Sequence, residues 1–320
     1  MFEVLESVKR VAKGSQWVSI DKVALNRFSH DLVSRDTEIP PWEDQYHFSG
    51  TRQETLAYLL VLDSINFCFW PAPGKAKWEI QYRAESLSGY YALAAALKRA
   101  AQSGTPITSA QYWADLSLDT LTRILGQKGD LQLLEQRLEN LREVGRVLLT
   151  HYEGEAYQLV EAAHGSAVEL ARLVARRFAS FRDVAQYKGA PVFFYKRAQI
   201  LAADLYGAFG GRGWGRFTDM DALTAFADYK LPQVLRHIGV LRYTGDLSER
   251  VDRGVLLEPG SPEEVEIRAN TLWAVELIRR ELRDLGNNLR AFEIDWILWN
   301  LGQEERFRAK AYHRTVTIFY

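Results

Sequence analysis

Apolar residues at helical spacing recur along most of the chain, and that period limits what it can become. Between residues 131 and 151, Leu131, Leu134, Leu138, Leu141 and Leu148 share one face. Such a stripe is hidden from water by packing a helix against other helices. The same pattern predicts helices over 52–69, 90–101, 118–125, 157–178, 269–285 and 294–301, and two short ones within 1–31 with Ser19 or Asp21 as a cap. Alternation is confined to short stretches. Trp78, Ile80 and Tyr82 mark a strand over 77–83, part of a hairpin, and residues 312–320 read as a terminal strand. The expected fold is mainly α and multi-helical, with a few short strands. The 320 residues suffice for one compact domain, or for two closely packed helical lobes with a site between them.

The helical pattern fails in three places. Residues 34–50 contain Pro40 and Pro41 followed by Trp42, Tyr46 and His47, an extended aromatic loop that is either pinned to a core or lines a site. Five glycines between 207 and 215 follow a helix and lack the Lys-Ser/Thr of a phosphate-cradling loop, so they read as a turn. Residues 243–260 read as a polar, turn-rich surface connection.

Charge excludes some functions. With 40 Lys and Arg against 41 Asp and Glu, no whole-protein field draws in a polyanion, which argues against a duplex-DNA binder. A small phosphorylated ligand needs only one or two local cations. Cys68 is the single cysteine, so neither an internal disulfide nor a thiolate zinc site can form, and a reducing compartment is expected. The most apolar run, 56–70, is too short for a bilayer and is interrupted by Asp63 and Asn66. No secretory signal is visible in residues 1–20. These features point to a cytoplasmic protein without a membrane partner.

Two stretches carry candidate chemistry. In residues 224–241, Asp228 lies between Phe226 and Tyr229, one turn before a helix with Pro232 in its first turn. A carboxylate held against rings loses water and must be compensated, so Asp228 is either a working group or a cap for that helix. In residues 188–209, Lys196 follows three aromatics near a helix start, with Ile200 and Asp204 on the same side one and two turns later. Its ammonium can meet a phosphate, pair with Asp204 or lie exposed. His237 and His313, each lone on an apolar background, read as core residues.

Longer motifs add a resemblance. Residues 193–201 (Phe-Phe-Tyr-Lys-Arg-Ala-Gln-Ile-Leu), 226–235 (Phe-Ala-Asp-Tyr-Lys-Leu-Pro-Gln-Val-Leu), 264–268 (Glu-Val-Glu-Ile-Arg) and the ending Ile318-Phe319-Tyr320 are similar to the queuosine salvage family, the queuosine 5′-phosphate N-glycosylases. Further matches are residues 65–70, Ser88-Gly89-Tyr90 and residues 107–110, so the resemblance runs from Arg52 to Tyr320. It implies a multi-helical fold like that of helix-hairpin-helix DNA glycosylases, with no metal and no organic cofactor. The implied reaction is hydrolysis of queuosine 5′-monophosphate to queuine and ribose 5-phosphate by a monomer that needs no nucleic-acid polymer.

Under that resemblance Asp228 matches the catalytic aspartate, stabilising positive charge that develops on the ribose. The base requires planar neighbours, for which Phe67, Trp70, Tyr112, Tyr229 and Trp273 are available. Asp204 or Glu266 can read its N1–H and N2–H edge, and Asn66 or Ser109 its O6 or N3. Lys196, His47 and Tyr46 are expected at the phosphate, and Gln233 completes the expected contacts. Two other readings compete: a DNA or RNA base glycosylase that flips its target from a polymer, and a non-catalytic nucleotide-binding helical protein in which Asp228 is only a cap.

Overall fold

The computed structural model describes residues 3–35, 37–126 and 128–320; the first two residues of the expected N-terminal helix lie outside them. In chain order the helices begin with α1 (Glu3–Gly14), α2 (Lys22–Ser34), α3 (Arg52–Ser64), α4 (Gly89–Gln102), α5 (Ala110–Ala114), α6 (Leu118–Leu125) and α7 (Leu134–His151). They continue with α8 (Ala156–Glu161), α9 (Ala167–Arg177), α10 (Lys196–Ala208), α11 (Lys230–His237), α12 (Gly245–Asp252), α13 (Pro262–Asp284) and α14 (Ala291–Leu301). The strands are β1 (Val18–Ile20), β2 (Glu79–Tyr82), β3 (Glu85–Ser88), β4 (Val184–Tyr187), β5 (Ala190–Phe193) and β6 (Leu241–Tyr243), paired antiparallel as β1–β6, β2–β3 and β4–β5. The fold is mainly α, as the periodicity requires. No helix among the described residues is long and apolar enough to cross a membrane.

Contacts divide the chain into two compact units. The first comprises Met1–Pro41, Asp183–Gln199 and Asp219–Val316; the second comprises Trp42–Arg182, Ile200–Thr218 and Thr317–Tyr320.

In the first unit α13 is central, with α1, α2, α11 and α14 packed on it. Ser261 accepts the Glu264 amide and Pro262 opens the helix, a start that satisfies its free donors. Val265, Ile267, Leu272, Val275, Ile278 and Leu282 are buried, and so are Glu264, Glu266, Arg268 and Glu276. Charges inside a helical core demand partners. Glu266, completely buried, finds four: the amides of Gln16, Trp17 and Val18 at 2.7–3.1 Å and the Tyr187 hydroxyl at 2.6 Å. The carboxylate expected at the edge of a base instead anchors the α1–β1 connection and the β4–β5 hairpin to α13.

In the second unit α5 crosses α7 so closely that a Cβ on Gly145 would sit 2.4 Å from both the Ala110 carbonyl oxygen and the Ala114 nitrogen. Arg137 of α7 is fully buried and donates to the carbonyls of Ile65, Phe67 and Cys68, the segment that ends α3. Cys68 lies beneath it in the left-handed region (φ 45°), and burial pushes its thiol up to about 11.

Several local expectations need correction. The helix over 157–178 is two, α8 and α9, because His164 (φ 51°) and Gly165 (φ 73°) turn the chain between them. Residues 243–260 hold the end of β6 and all of α12, and β6 finds its partner β1 across more than two hundred residues. Residues 312–320 form no strand beyond a single bridge from Arg314 to Leu256.

Replacing Glu266 by Gln puts an amide NH2 where one carboxylate oxygen met two or three donors and removes the charge from the remaining hydrogen bonds. Urea unfolding should show a loss of about 2–4 kcal/mol. Unchanged stability would mean that the carboxylate is not a structural anchor.

Candidate active site

Asp228 sits at the end of an extended segment that approaches α11 through the core of the first unit. Gln199 fixes this segment at Thr224, accepting the Thr224 amide at 2.9 Å and donating to its hydroxyl at 3.0 Å, while Asp295 of α14 accepts the Phe226 amide at 2.7 Å. Asp228 Oδ1 then accepts the amides of Lys230 and Leu231, both at 2.8 Å. These are free donors of the first helical turn, and Pro232 next in line has none to satisfy. The carboxylate therefore does cap the helix.

Capping alone does not call for burial, yet Asp228 is only 7% exposed. Burial raises its pKa above the ordinary carboxylate value, and the charge of Lys196 is the strongest influence pulling it back, followed by the two amides. Lys196, itself buried, opens α10. The charge expected to meet a phosphate is thus also felt by the Asp228 anion. The residue before it, Tyr195, has φ 49°, a conformation that costs a bulky L-residue on the order of 1 kcal/mol or more.

A second buried pair braces both segments. Arg268 of α13 makes a two-pronged bond to Asp183, at 2.9 Å to Oδ1 and 2.5 Å to Oδ2, and donates from Nε to the Ala227 carbonyl at 3.2 Å. Asp183 in turn accepts the amides of Phe194 and Tyr195 on its carbonyl and that of Lys196 on Oδ2. His313 is buried beside this arginine, and desolvation together with the Arg268 charge pushes it down to about 3.

The second unit contains a separate polar cluster. His47 Nδ1 lies 2.8 Å from the Glu43 carbonyl oxygen and Nε2 lies 2.8 Å from the Tyr90 hydroxyl, which is 3.2 Å from Asp204 Oδ2. A carbonyl only accepts, so Nδ1 carries a hydrogen. Burial pushes the imidazole down to about 4, leaving it neutral at pH 7 with Nε2 as an acceptor. The single Tyr90 hydrogen thus faces two acceptors, His47 Nε2 and the Asp204 carboxylate.

The queuosine salvage protein family model matches residues 46–320. The chain belongs to that family. Among relatives of the queuosine salvage family, the queuosine 5′-phosphate N-glycosylase/hydrolase of Sphaerobacter thermophilus is 46% identical over 317 residues, covering 99% of this chain and 97% of that protein. Proteins of the same name from Bos taurus and Schizosaccharomyces pombe are 36% and 33% identical and cover 98% of this chain. The likeness therefore reaches well before Arg52 and includes Tyr46 and His47.

Asp228 and Lys196 are thus brought together in one unit, and His47 and Asp204 in the other. Tyr46 donates to Glu85 at 3.0 Å, an acidic contact for a side chain expected at a phosphate. Asn66, Phe67 and Trp70 are buried near the end of α3, with the Arg137 guanidinium 4.2 Å from the Phe67 ring. Ser109 caps α5 by accepting the Tyr112 amide and borders a cavity of about 500 Å³ that Glu54, Glu153 and Glu155 also line. Tyr112 packs edge-on against Trp113, and Tyr229 lies 5.0 Å from the Tyr312 ring. Lys9 and Arg280 lie over the Trp273 ring. Gln233 donates to the Lys310 carbonyl at 2.6 Å while its Oε1 is buried without a partner among the described residues. Sequence reasoning missed Tyr90, Asp183 and Arg268 as functional candidates, although Tyr90 and Arg268 end two of the family motifs. Asp183 carries no local signal.

A histidine held neutral by burial makes stability depend on pH. Between the ordinary pKa of about 6.5 and the folded value of about 4, the unfolded chain binds the proton that folded His47 refuses, so stability falls on acidification through that window and is unaffected above it. The effect of His47 over the whole window is about 3 kcal/mol. Melting curves from pH 7.5 to 5 should show a shallower decline for His47→Asn than for the wild type; parallel declines would contradict a neutral buried His47.

Proposed function

We propose that the chain hydrolyses the N-glycosidic bond of queuosine 5′-phosphate, releasing queuine and ribose 5-phosphate, with Asp228 as the catalytic carboxylate. One observation carries this reading: Asp228, buried and balanced by Lys196, lies in a chain that is 46% identical over nearly its full length to a protein named for that reaction. The substrate is the free nucleotide rather than a polymer, the protein acts as a cytoplasmic monomer, and queuine leaves for reuse in tRNA.

The chemistry needs a fixed anion. As the C1′–N bond breaks, its electron pair leaves with the base and positive charge grows on the ribose, where a desolvated carboxylate acts far more strongly than in water. Water then supplies hydroxide to C1′ and a proton to the base. The leaving base is a 7-deazaguanine, with carbon where a purine has N7, so protonation at N7 cannot assist departure. More of the barrier therefore falls on stabilising the sugar cation, the role assigned to Asp228.

Asp228→Asn isolates that role, because the amide oxygen can still accept the Lys230 and Leu231 amides. The variant should stay folded with a melting temperature at or below the wild-type value, because the buried Lys196 charge loses its balancing anion, while turnover falls by roughly a thousandfold or more. Near-normal turnover would remove Asp228 from the mechanism. In the wild type, activity should decline on acidification at a pH above the ordinary carboxylate range, and Lys196→Gln should move that decline higher still. The reaction itself is tested with queuosine 5′-monophosphate and guanosine 5′-monophosphate in parallel, followed by chromatography. Release of queuine alone supports the reading, and release of neither base refutes it.

A further inference from the structure

We propose that the buried Asp183–Arg268 pair is a positioning device that holds Lys196 and Asp228 in their working arrangement, an inference that rests on the catalytic role assigned to Asp228. Neither member needs to touch substrate. Each acts through main-chain atoms adjoining a site residue: Arg268 Nε through the Ala227 carbonyl, in the peptide that leads into Asp228, and Asp183 Oδ2 through the Lys196 amide at 3.2 Å.

Three features favour positioning over a plain contribution to stability. Arg268 and Asp183 are each at least 97% buried, and an ion pair so thoroughly removed from water is seldom worth more to stability than apolar residues of similar size. The fork geometry is used in full, with Nη1 and Nη2 on the two Asp183 oxygens and Nε on a third acceptor, an arrangement that lysine cannot reproduce. The guanidinium also lies 3.9 Å from the Phe194 ring centroid and 3.6 Å from Glu264, so its position is fixed on further sides. The segment it braces includes Tyr195 with φ 49°, a backbone state that persists only where the surroundings impose it. Asp228 is influenced directly by Lys196 of α10 and Lys230 of α11, while α14 contributes Asp295 to the Phe226 amide. A shift of either braced segment alters the separation of Lys196 and Asp228.

The test uses two variants of the full chain. Arg268→Lys keeps the charge and loses the fork. The double variant Asp183→Leu with Arg268→Met removes both charges of the bidentate pair together, and the nearby Glu264 keeps its bond from the Gly260 amide. Both should melt well above the assay temperature, with kcat on queuosine 5′-monophosphate lowered at least roughly tenfold and KM changed far less. The pKa of Asp228 is read without substrate, by comparing the pH dependence of melting for each protein with that of its own Asp228→Asn counterpart. It should lie higher in both variants than in the wild type, because Lys196 no longer sits where it favours the anion. A folded double variant with wild-type kcat and an unmoved Asp228 midpoint would overturn the proposal. If the wild type releases no queuine, the proposed reaction fails, and the Asp228 midpoint alone still decides whether the pair positions it.

Discussion

An arginine taken out of water brings five N–H donors that must all be accounted for, and the first unit is arranged around meeting that requirement at Arg268. Its acceptors come from the turn before β4 and from the segment leading into α11, which are far apart in sequence. Arg137 in the second unit meets the same demand at its two terminal nitrogens, which donate to the carbonyls of residues 65, 67 and 68. Glu266 is the inverse case, an acceptor that gathers donors from β1 and its approach and from Tyr187. In each instance a buried ion stands where helix and strand ladders leave main-chain groups without partners, so loops can pass through the interior without unsatisfied amides.

Asp228 combines two properties usually considered apart. Helix capping is a structural role, and a raised carboxylate pKa marks functional sites. Here one oxygen serves the helix while the whole group is desolvated, so the fold supplies both the orientation of the carboxylate and its altered acidity. The cap read from the sequence is present, and the catalytic role proposed for Asp228 would use the same side chain.

What was legible in the sequence follows the range of the interactions. Helices α6 and α7 and the hairpin β2–β3 depend on periodicity and turn residues within a few positions, and all were readable. The β4–β5 hairpin also carried a local signal, since Lys188 and Gly189 have φ of 48° and 78° as a tight two-residue turn requires, but the aromatic run that follows obscured it. Pairing of β1 with β6 and the contacts of Glu266 with residues 16–18 span more than two hundred positions, and no short-range pattern encodes them. At the candidate site the same division holds. Asp228 and Lys196 stand out because of their neighbours in the chain, whereas the ionic partner of Asp183 is Arg268, 85 residues away. The row of amides around Glu266 was not legible, because a carboxylate in a family motif looks the same whether it faces a ligand or main-chain donors.

The condition of Cys68 has a practical side. It is the chain's single thiol, it is completely buried, and its surroundings keep it protonated far above neutral pH. Thiolate-directed reagents therefore find almost nothing to attack in the native protein. A cysteine introduced on the surface of either unit becomes the only reactive one, so spin labels or fluorophores can be attached at chosen points without first removing the native residue.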